Sequence, residues 1–278
     1  MNLHDLSLIV PLGPGRERHI NILLDSIYKA KKSEKLREIV IVCDNSVLEK
    51  KISKRLKIVI YKSKKHINIP EARNVGIEMS SGKYLLFIDS DCIIPSNYLN
   101  FIETFEDGIY VGDFRVLSGA NKWAKMQLTQ DKNTFLRYVV GTNSVVLGCH
   151  FVMPRNLFNI VGKFDEDVAI SDEREWGDKA IAKGYRITYV PNLFVYHQYS
   201  GSLKSIIRRR FWHGTGYHIF GSKKFHSSGK KDLKYWLKEY AASLKYAARL
   251  DFFGIYRIIS VTFFMIGYYY GLFLRDWK

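Results

Sequence analysis

The stretch GKYLLFIDSDCIIP, Gly82–Pro95, decides how the chain is read. Tyr84 to Ile88 is a short apolar run between a glycine and an acid, which predicts a buried strand. Asp89 and Asp91 follow it at once. Where a strand ends the backbone turns, and two nearby carboxylates can then aim at one point in a cleft. Two anions held close repel each other, so such a pair implies a cation between or beside them. Asp-x-Asp alone also suits a solvated strand-end turn, and the surrounding chain has to decide.

Upstream, Leu6 to Leu12 reads as a short buried strand ended by GPG. From Glu17 to about Ala30, Ile20, Leu23, Leu24 and Ile27 fall at helical spacing. REIVIVCDNS is a β-branched run that closes on a turn, and LKIVIYK is a third apolar run. NIPEARNVGIEMSSG predicts a helix begun near Pro70 and ended by Gly82. Strands alternating with helices predict a parallel α/β sheet with right-handed crossovers. Ligands of such sheets bind beyond the carboxyl ends of the strands, where Asp44 and the Asp89/Asp91 pair both fall.

Downstream, Tyr98 to Val168 mixes possible strands, GIYVGDF and SVVLGCHFVM, with polar turns. ISDEREWGDKAIAKGY predicts a helix with acids at its start and Gly184 as C-cap. RITYVP predicts a further strand leading to NLFVYHQYSG.

A hydrophobic content of 47% and a charged content of 25% are globular values. Cys43, Cys92 and Cys149 are too few and too scattered for a disulfide framework or thiolate metal site, and read as small buried hydrophobes. The N-terminus shows no basic region or cleavage site of a secretory signal, so a cytoplasmic chain is expected. The net charge is +16, and residues 201–250 hold twelve Lys or Arg against Asp232 and Glu239. Such a block suits nucleic acid, an anionic membrane surface or a phosphorylated substrate. It precedes an uncharged run, Ile258 to Leu274, bracketed by Arg257 and Arg275. As a helix these seventeen residues would reach roughly 25 Å, the lower edge for a membrane crossing. The run reads as a helix lying at the membrane interface, a single span, or a packed core helix.

Several side chains have the chemistry of an anion or metal site. Arg73 suits bidentate phosphate contact, with Asn74 beside it, although a surface helix arginine looks the same in sequence. Asp44 could accept hydrogen bonds from a base or ribose, or close a turn. GPGRER lacks the third glycine of a dinucleotide fingerprint, and that reading fails.

In order, LSLIVPL, VIVCDNS, EARNVGIEMSSGKYLLFIDSDC and FDEDVAISDEREWGDKAIAKGYRITYVPNLFVYH resemble a family 2 glycosyltransferase with the GT-A fold, over about Leu6 to Gly216. The resemblance implies a Rossmann-like mixed sheet flanked by helices, with a nucleotide-binding half over about 1–95 and an acceptor half over about 96–200. A helical, basic and aromatic extension would occupy 201–278, with a possible membrane-associating segment at 252–278. It implies transfer of a sugar, with inversion, from a nucleotide diphosphate sugar to an acceptor hydroxyl, using Mn²⁺ or Mg²⁺. Asp44 would contact the base or ribose near the strand carrying Pro11. Asp89 would bind ribose or metal, Asp91 would ligate the metal, and Arg73 with Asn74 would lie near the pyrophosphate. His197 matches a histidine that completes the metal site. The family's Glu-Asp pair stands here reversed as Asp172-Glu173, which leaves Glu173, Asp172 and Glu175 as candidates for the base. Arg208, Arg209, Arg210 and Trp212 would form a lid that holds phosphate or stacks on sugar.

The expected partners are a nucleotide diphosphate sugar, a glycan or lipid-linked acceptor and the inner face of the cell membrane, with no nucleic acid. Two rivals share features of the sequence. A haloacid dehalogenase-type phosphatase also uses strand-Asp-x-Asp, but there a Thr follows where Cys92-Ile93-Ile94 stand here. A noncatalytic nucleic-acid binder would use the basic tail, yet no reader motif accompanies the charge.

Overall fold

The structure, a computed structural model, describes residues 1–44, 56–142, 149–168, 172–199, 201–225, 237–238, 240–245 and 252–276. The chain divides into two compact units, one of residues 1–118 and 131–198, the other of 119–130 and 199–278.

In the first unit, β1 (Leu6–Leu12), β2 (Glu38–Asp44), β3 (Ile58–Ser63) and β4 (Tyr84–Ile88) pair in parallel in the order β3-β2-β1-β4. β1 and β4 are buried throughout and β2 is buried up to Cys43, as continuous apolar runs require when both faces are covered. Pro11 lies beyond the last β1 residue that pairs with β4, so its missing N–H breaks no bond there. Helix α1 (Glu17–Lys29) buries Ile20, Leu23, Leu24 and Ile27, the residues at helical spacing. Helix α2 (Ile69–Met79) begins where the Asn68 side chain accepts the Glu71 N–H and Pro70 occupies the first turn.

The second half of the sheet is mixed, which the alternation of strands and helices alone does not specify. β7 (His150–Pro154) runs antiparallel to both β4 and β6 (Ile109–Arg115), β8 (Ile187–His197) runs parallel to β6, and β5 (Cys92–Ile93) closes the edge against β8. Of the expected SVVLGCHFVM strand, His150 to Met153 lie in β7, while residues 144–148 lie outside the described residues. RITYVP and NLFVYH form one strand rather than two: β8 passes through Pro191 by a register shift opposite Gly112 and Asp113. Gly112 permits this, because a Cβ there would lie 2.1 Å from both the His150 ring and the Leu193 carbonyl oxygen. That histidine is buried and neutral. Burial pushes its pKa down to about 4; its Nε2 donates to the Asp113 carbonyl and its Nδ1 accepts from the Tyr98 hydroxyl. Helices α3 (Tyr98–Glu103), α4 (Lys122–Thr142) and α5 (Asn156–Val161) precede α6 (Asp172–Ala182). Phe87 stacks on Phe151, Phe164 meets both edge-on, and Trp176 packs on Phe164, which joins α6 to the core.

The second unit is built on two helices, here α7 (Leu203–Phe225) and α8 (Phe252–Asp276). Their backbones touch at glycines: a Cβ on Gly214 would lie 2.0 Å from the Phe264 oxygen, and one on Gly267 would lie 1.9 Å from the Phe211 oxygen. Thr215 Oγ1 donates to the Gly267 carbonyl across this seam. Residues 119–130 join these helices rather than the sheet, which moves the boundary expected at residue 200. Asn121 donates to the Gly201 carbonyl, Trp123 packs on Phe252, and Ser260 donates to Gln130. The segment Phe252–Gly271 is long and apolar enough to cross a membrane.

Candidate active site

The sequence at the end of β4 turns as its two acids suggest. The Asp89 N–H donates to the Cys149 carbonyl and the Cys92 N–H to the Asp89 carbonyl, so residues 89–92 form a tight turn before β5. Cys92 then pairs with His197, the last residue of β8. That pairing brings His197 Nε2 to 3.4 Å from Asp91 Oδ1, while the Gln198 N–H donates to the Asp91 carbonyl. Two residues 106 positions apart meet because the end of β8, beyond the bulge, pairs with β5. The other Asp91 oxygen, Oδ2, accepts from Arg16 Nη1 at 3.1 Å.

Arg73 is the hub of the site. Its side chain is only 2% exposed, and from α2 it meets Asp172 and Glu173 at the start of α6 and Asp89 at the end of β4. The Arg73–Asp172 bond is a short charge-assisted one, with Glu173 at 3.4 Å and Asp89 at 3.5 Å. Burial alone would lower the pKa of Arg73, and the three carboxylates more than reverse that. Asp89 is pushed up, to about 7, first by burial, with Arg73 opposing and Asp91 and Asp172 adding to the rise. Glu173 is pushed up to about 8, by burial and by Asp172, again against Arg73. Among the described residues, Asp89, Asp172 and Glu173 lie against Arg73 and Asp91 against Arg16, and carboxylates gathered this closely favour either retained protons or a further cation.

Other expected contacts take different forms. Asn74 is buried, and its side chain donates to the Phe164 carbonyl and to Glu166 while accepting from the Phe164 N–H. It clamps the chain that leads to α6 and leaves no amide donor for a pyrophosphate. Asp44 ends β2 with Oδ2 at 2.9 Å from Nδ1 of His66, a residue the sequence did not single out. Glu175 is paired with Lys179 one helical turn on. His19 on α1 has its pKa lowered by burial and by Arg16 and raised by Asp91, so it lies within electrostatic reach of both.

The three arginines of α7 point different ways, as successive helical residues must. Arg208 is exposed, Arg209 donates to Gln127 and lies over Tyr199, and Arg210 is buried against the Tyr256 hydroxyl of α8. Arg210 therefore serves packing and is not part of an exposed phosphate contact. Trp212 is 51% exposed.

Among the described residues, no group of three or more His, Cys, Asp and Glu side chains is placed to cage a metal. One carboxylate and one imidazole, Asp91 and His197, do meet, beside a local excess of negative charge. A carboxylate with one imidazole suits Mn²⁺ better than Mg²⁺, with the shell completed by phosphate oxygens and water. The residues present fit the ion.

The mixed sheet, with its acids clustered at the carboxyl end of β4, has the GT-A fold, and solved structures superpose on it. Mannosyltransferase PcManGT from Pyrobaculum calidifontis, solved with GDP-Man and Mn²⁺, superposes with a TM-score of 0.67 at 16% identity, covering 98% of this chain and 88% of that one. TarS from S. aureus, in complex with UDP-GlcNAc, gives 0.54 at 19% identity over 76% of this chain and 66% of its own. GalNAc-T7 with UDP, GalNAc and Mn²⁺ gives 0.55 at 18% identity over 78% and 51%. The family model of glycosyl transferase family 2 matches residues 15–168, more than half of the chain. The protein belongs to glycosyl transferase family 2 and is a glycosyltransferase. No curated protein matches it in sequence.

Proposed function

We propose that the chain moves a sugar from a nucleotide diphosphate sugar to an acceptor hydroxyl with inversion, using Glu173 as base and a divalent cation at Asp91 and His197. The carrying observation is the Arg73 hub, which holds the strand-end acid Asp89 and the helix-start acids Asp172 and Glu173 around one guanidinium. Asp172 is almost wholly buried in its pair with Arg73, whereas Glu173 keeps about a quarter of its side chain accessible. A carboxylate raised toward neutral pH is suited to taking a proton from a hydroxyl. Glu173 takes that proton as the acceptor oxygen bonds to the anomeric carbon and the bond from that carbon to the diphosphate oxygen breaks. Nucleoside diphosphate leaves, and one displacement inverts the centre. When bound, the cation supplies positive charge for the leaving diphosphate. Arg73 acts as a positioning residue that fixes Glu173 relative to Asp89, and Asp44 with His66 offers polar contacts for ribose or base.

The second unit supports attachment to the cytoplasmic face of a membrane and an acceptor that is a lipid-linked or other cell-surface glycan. Ile255, Ile266 and Tyr270 leave one side of α8 exposed, while Trp212 and Arg208 are exposed on α7. Apolar residues beside basic ones match an anionic lipid surface.

The direct test incubates the chain with Mn²⁺ and a panel of nucleotide sugars, follows nucleoside diphosphate release, and reads the anomer formed by NMR. Inverted product that disappears with Glu173→Gln supports the reading. Retained configuration, or full turnover by Glu173→Gln, overturns it.

A further inference from the structure

Arg16 has no part in the chemistry just described, yet its guanidinium is seated on the acid that matters most there. It precedes the first residue of α1, and its side chain is 45% exposed against 15% for Asp91. Asp91 is bracketed, with Arg16 Nη1 at 3.1 Å from Oδ2 and His197 Nε2 at 3.4 Å from Oδ1. A half-exposed arginine can leave such a contact by turning its own side-chain torsions, with no movement of the helix. The better buried carboxylate cannot follow it.

We propose that Arg16 is a tethered counter-ion for Asp91 in the metal-free protein, displaced when a divalent cation binds and then taken up by the donor's diphosphate. The inference rests on the reading of Asp91 as a metal ligand. A guanidinium and a divalent ion cannot hold the same carboxylate closely without repelling each other. A diphosphate offers the displaced arginine two neighbouring anionic oxygens, which the planar guanidinium can grip in bidentate fashion. Metal and nucleotide therefore bind cooperatively: each is favoured by the other because Arg16 changes partners once, from Asp91 to phosphate. By linkage the effect is reciprocal, so the nucleotide strengthens metal binding by the factor by which metal strengthens nucleotide binding.

The test measures Mn²⁺ binding by the electron paramagnetic resonance signal of the unbound ion. It uses the full chain, with and without UDP or GDP, for wild type, Arg16→Gln and Asp91→Asn. Wild type is expected to bind Mn²⁺ weakly alone and more tightly with nucleotide. Arg16→Gln should bind Mn²⁺ alone on the order of tenfold more tightly, the combined effect of losing a competing ion pair and a like charge. Its gain from nucleotide should shrink by a similar factor. If Arg16→Gln binds Mn²⁺ alone as wild type does while Asp91→Asn loses it, Asp91 is a ligand and the inference about Arg16 is wrong. Unchanged Mn²⁺ binding by Asp91→Asn overturns the ligand assignment and the inference together.

Discussion

Arg73 and Asp172 form an ion pair buried at both ends, with side chains 2% and 3% exposed. It joins α2 to the start of α6, and through Arg73 it also reaches Asp89. A buried pair of this kind contributes little beyond an apolar replacement, but removing one partner leaves an uncompensated charge. Arg73→Leu should therefore destabilise the protein by about 3–5 kcal/mol in urea denaturation. A loss below about 1 kcal/mol would mean that the carboxylates stay protonated or solvated and that the hub is not structural.

Glu173→Gln has two separable consequences. Transfer should slow by ~100-fold or more while nucleotide affinity holds, the usual scale for loss of a general base. In wild type, kcat/KM should rise with pH through about 8 as Glu173 loses its proton, and that limb should be missing in the variant. The stability effect has the opposite sense. A carboxyl whose pKa is raised on folding favours the folded state below its unfolded pKa, near 4.5, and loses that advantage as pH climbs through about 8. Above pH 8 the Glu173→Gln protein should therefore melt at a higher temperature than wild type, with the difference vanishing below pH 4. A variant that melts lower at pH 8.5 would contradict the raised pKa.

Gly112→Ala tests the link between a backbone detail and the site. The added methyl meets the His150 ring and the Leu193 carbonyl at 2.1 Å, so the β8 bulge has to shift. A cost of about 1–3 kcal/mol is expected from overpacking. Mn²⁺ binding should weaken as well, because the bulge carries β8 on to His197. A stable variant with wild-type Mn²⁺ affinity would show that the bulge and the metal site are independent.

Attachment to membranes is tested without disturbing the α7–α8 seam by changing only the exposed side of α8. Ile255→Glu with Ile266→Glu should abolish flotation with anionic phospholipid vesicles while the melting temperature stays within a few degrees of wild type. Flotation equal to wild type would remove the exposed face as the lipid contact.

The sequence was most legible where local pattern and tertiary role coincide. β1, β2, β4 and α1 follow from continuous apolar runs and helical spacing, and Asp89 and Asp91 stand where the last of these runs ends. Asp91 and His197 could be singled out one by one, but their meeting depends on the Cys92–His197 pairing at the end of β8, beyond the bulge opposite Gly112. No local pattern encodes that bulge; Pro191 suggests an interruption instead. Arg73 and Asn74 look like phosphate contacts because they are polar and precede a metal motif. Their burial among Asp172, Glu173, Phe164 and Glu166 arises from chain roughly ninety to a hundred residues away. Arg16 carries no signal in the sequence, because the glycines around it fail as a dinucleotide fingerprint and only its distance to Asp91 marks it. The pairing of residues 119–130 with α7 and α8 has no sequence signature at all.

If Asp91 and His197 hold a cation that in turn holds a nucleoside diphosphate, nucleotide binding requires the metal. The most direct measurement is thermal denaturation of wild type and Asp91→Asn with UDP, GDP, CDP or dTDP, each with and without Mn²⁺. A ligand at 100 times its dissociation constant adds ~2.7 kcal/mol of stability, a readily measured shift. Wild type should be stabilised by one nucleotide class only when Mn²⁺ is present, and Asp91→Asn by none. Stabilisation that is the same with and without Mn²⁺, or that persists in Asp91→Asn, would contradict it.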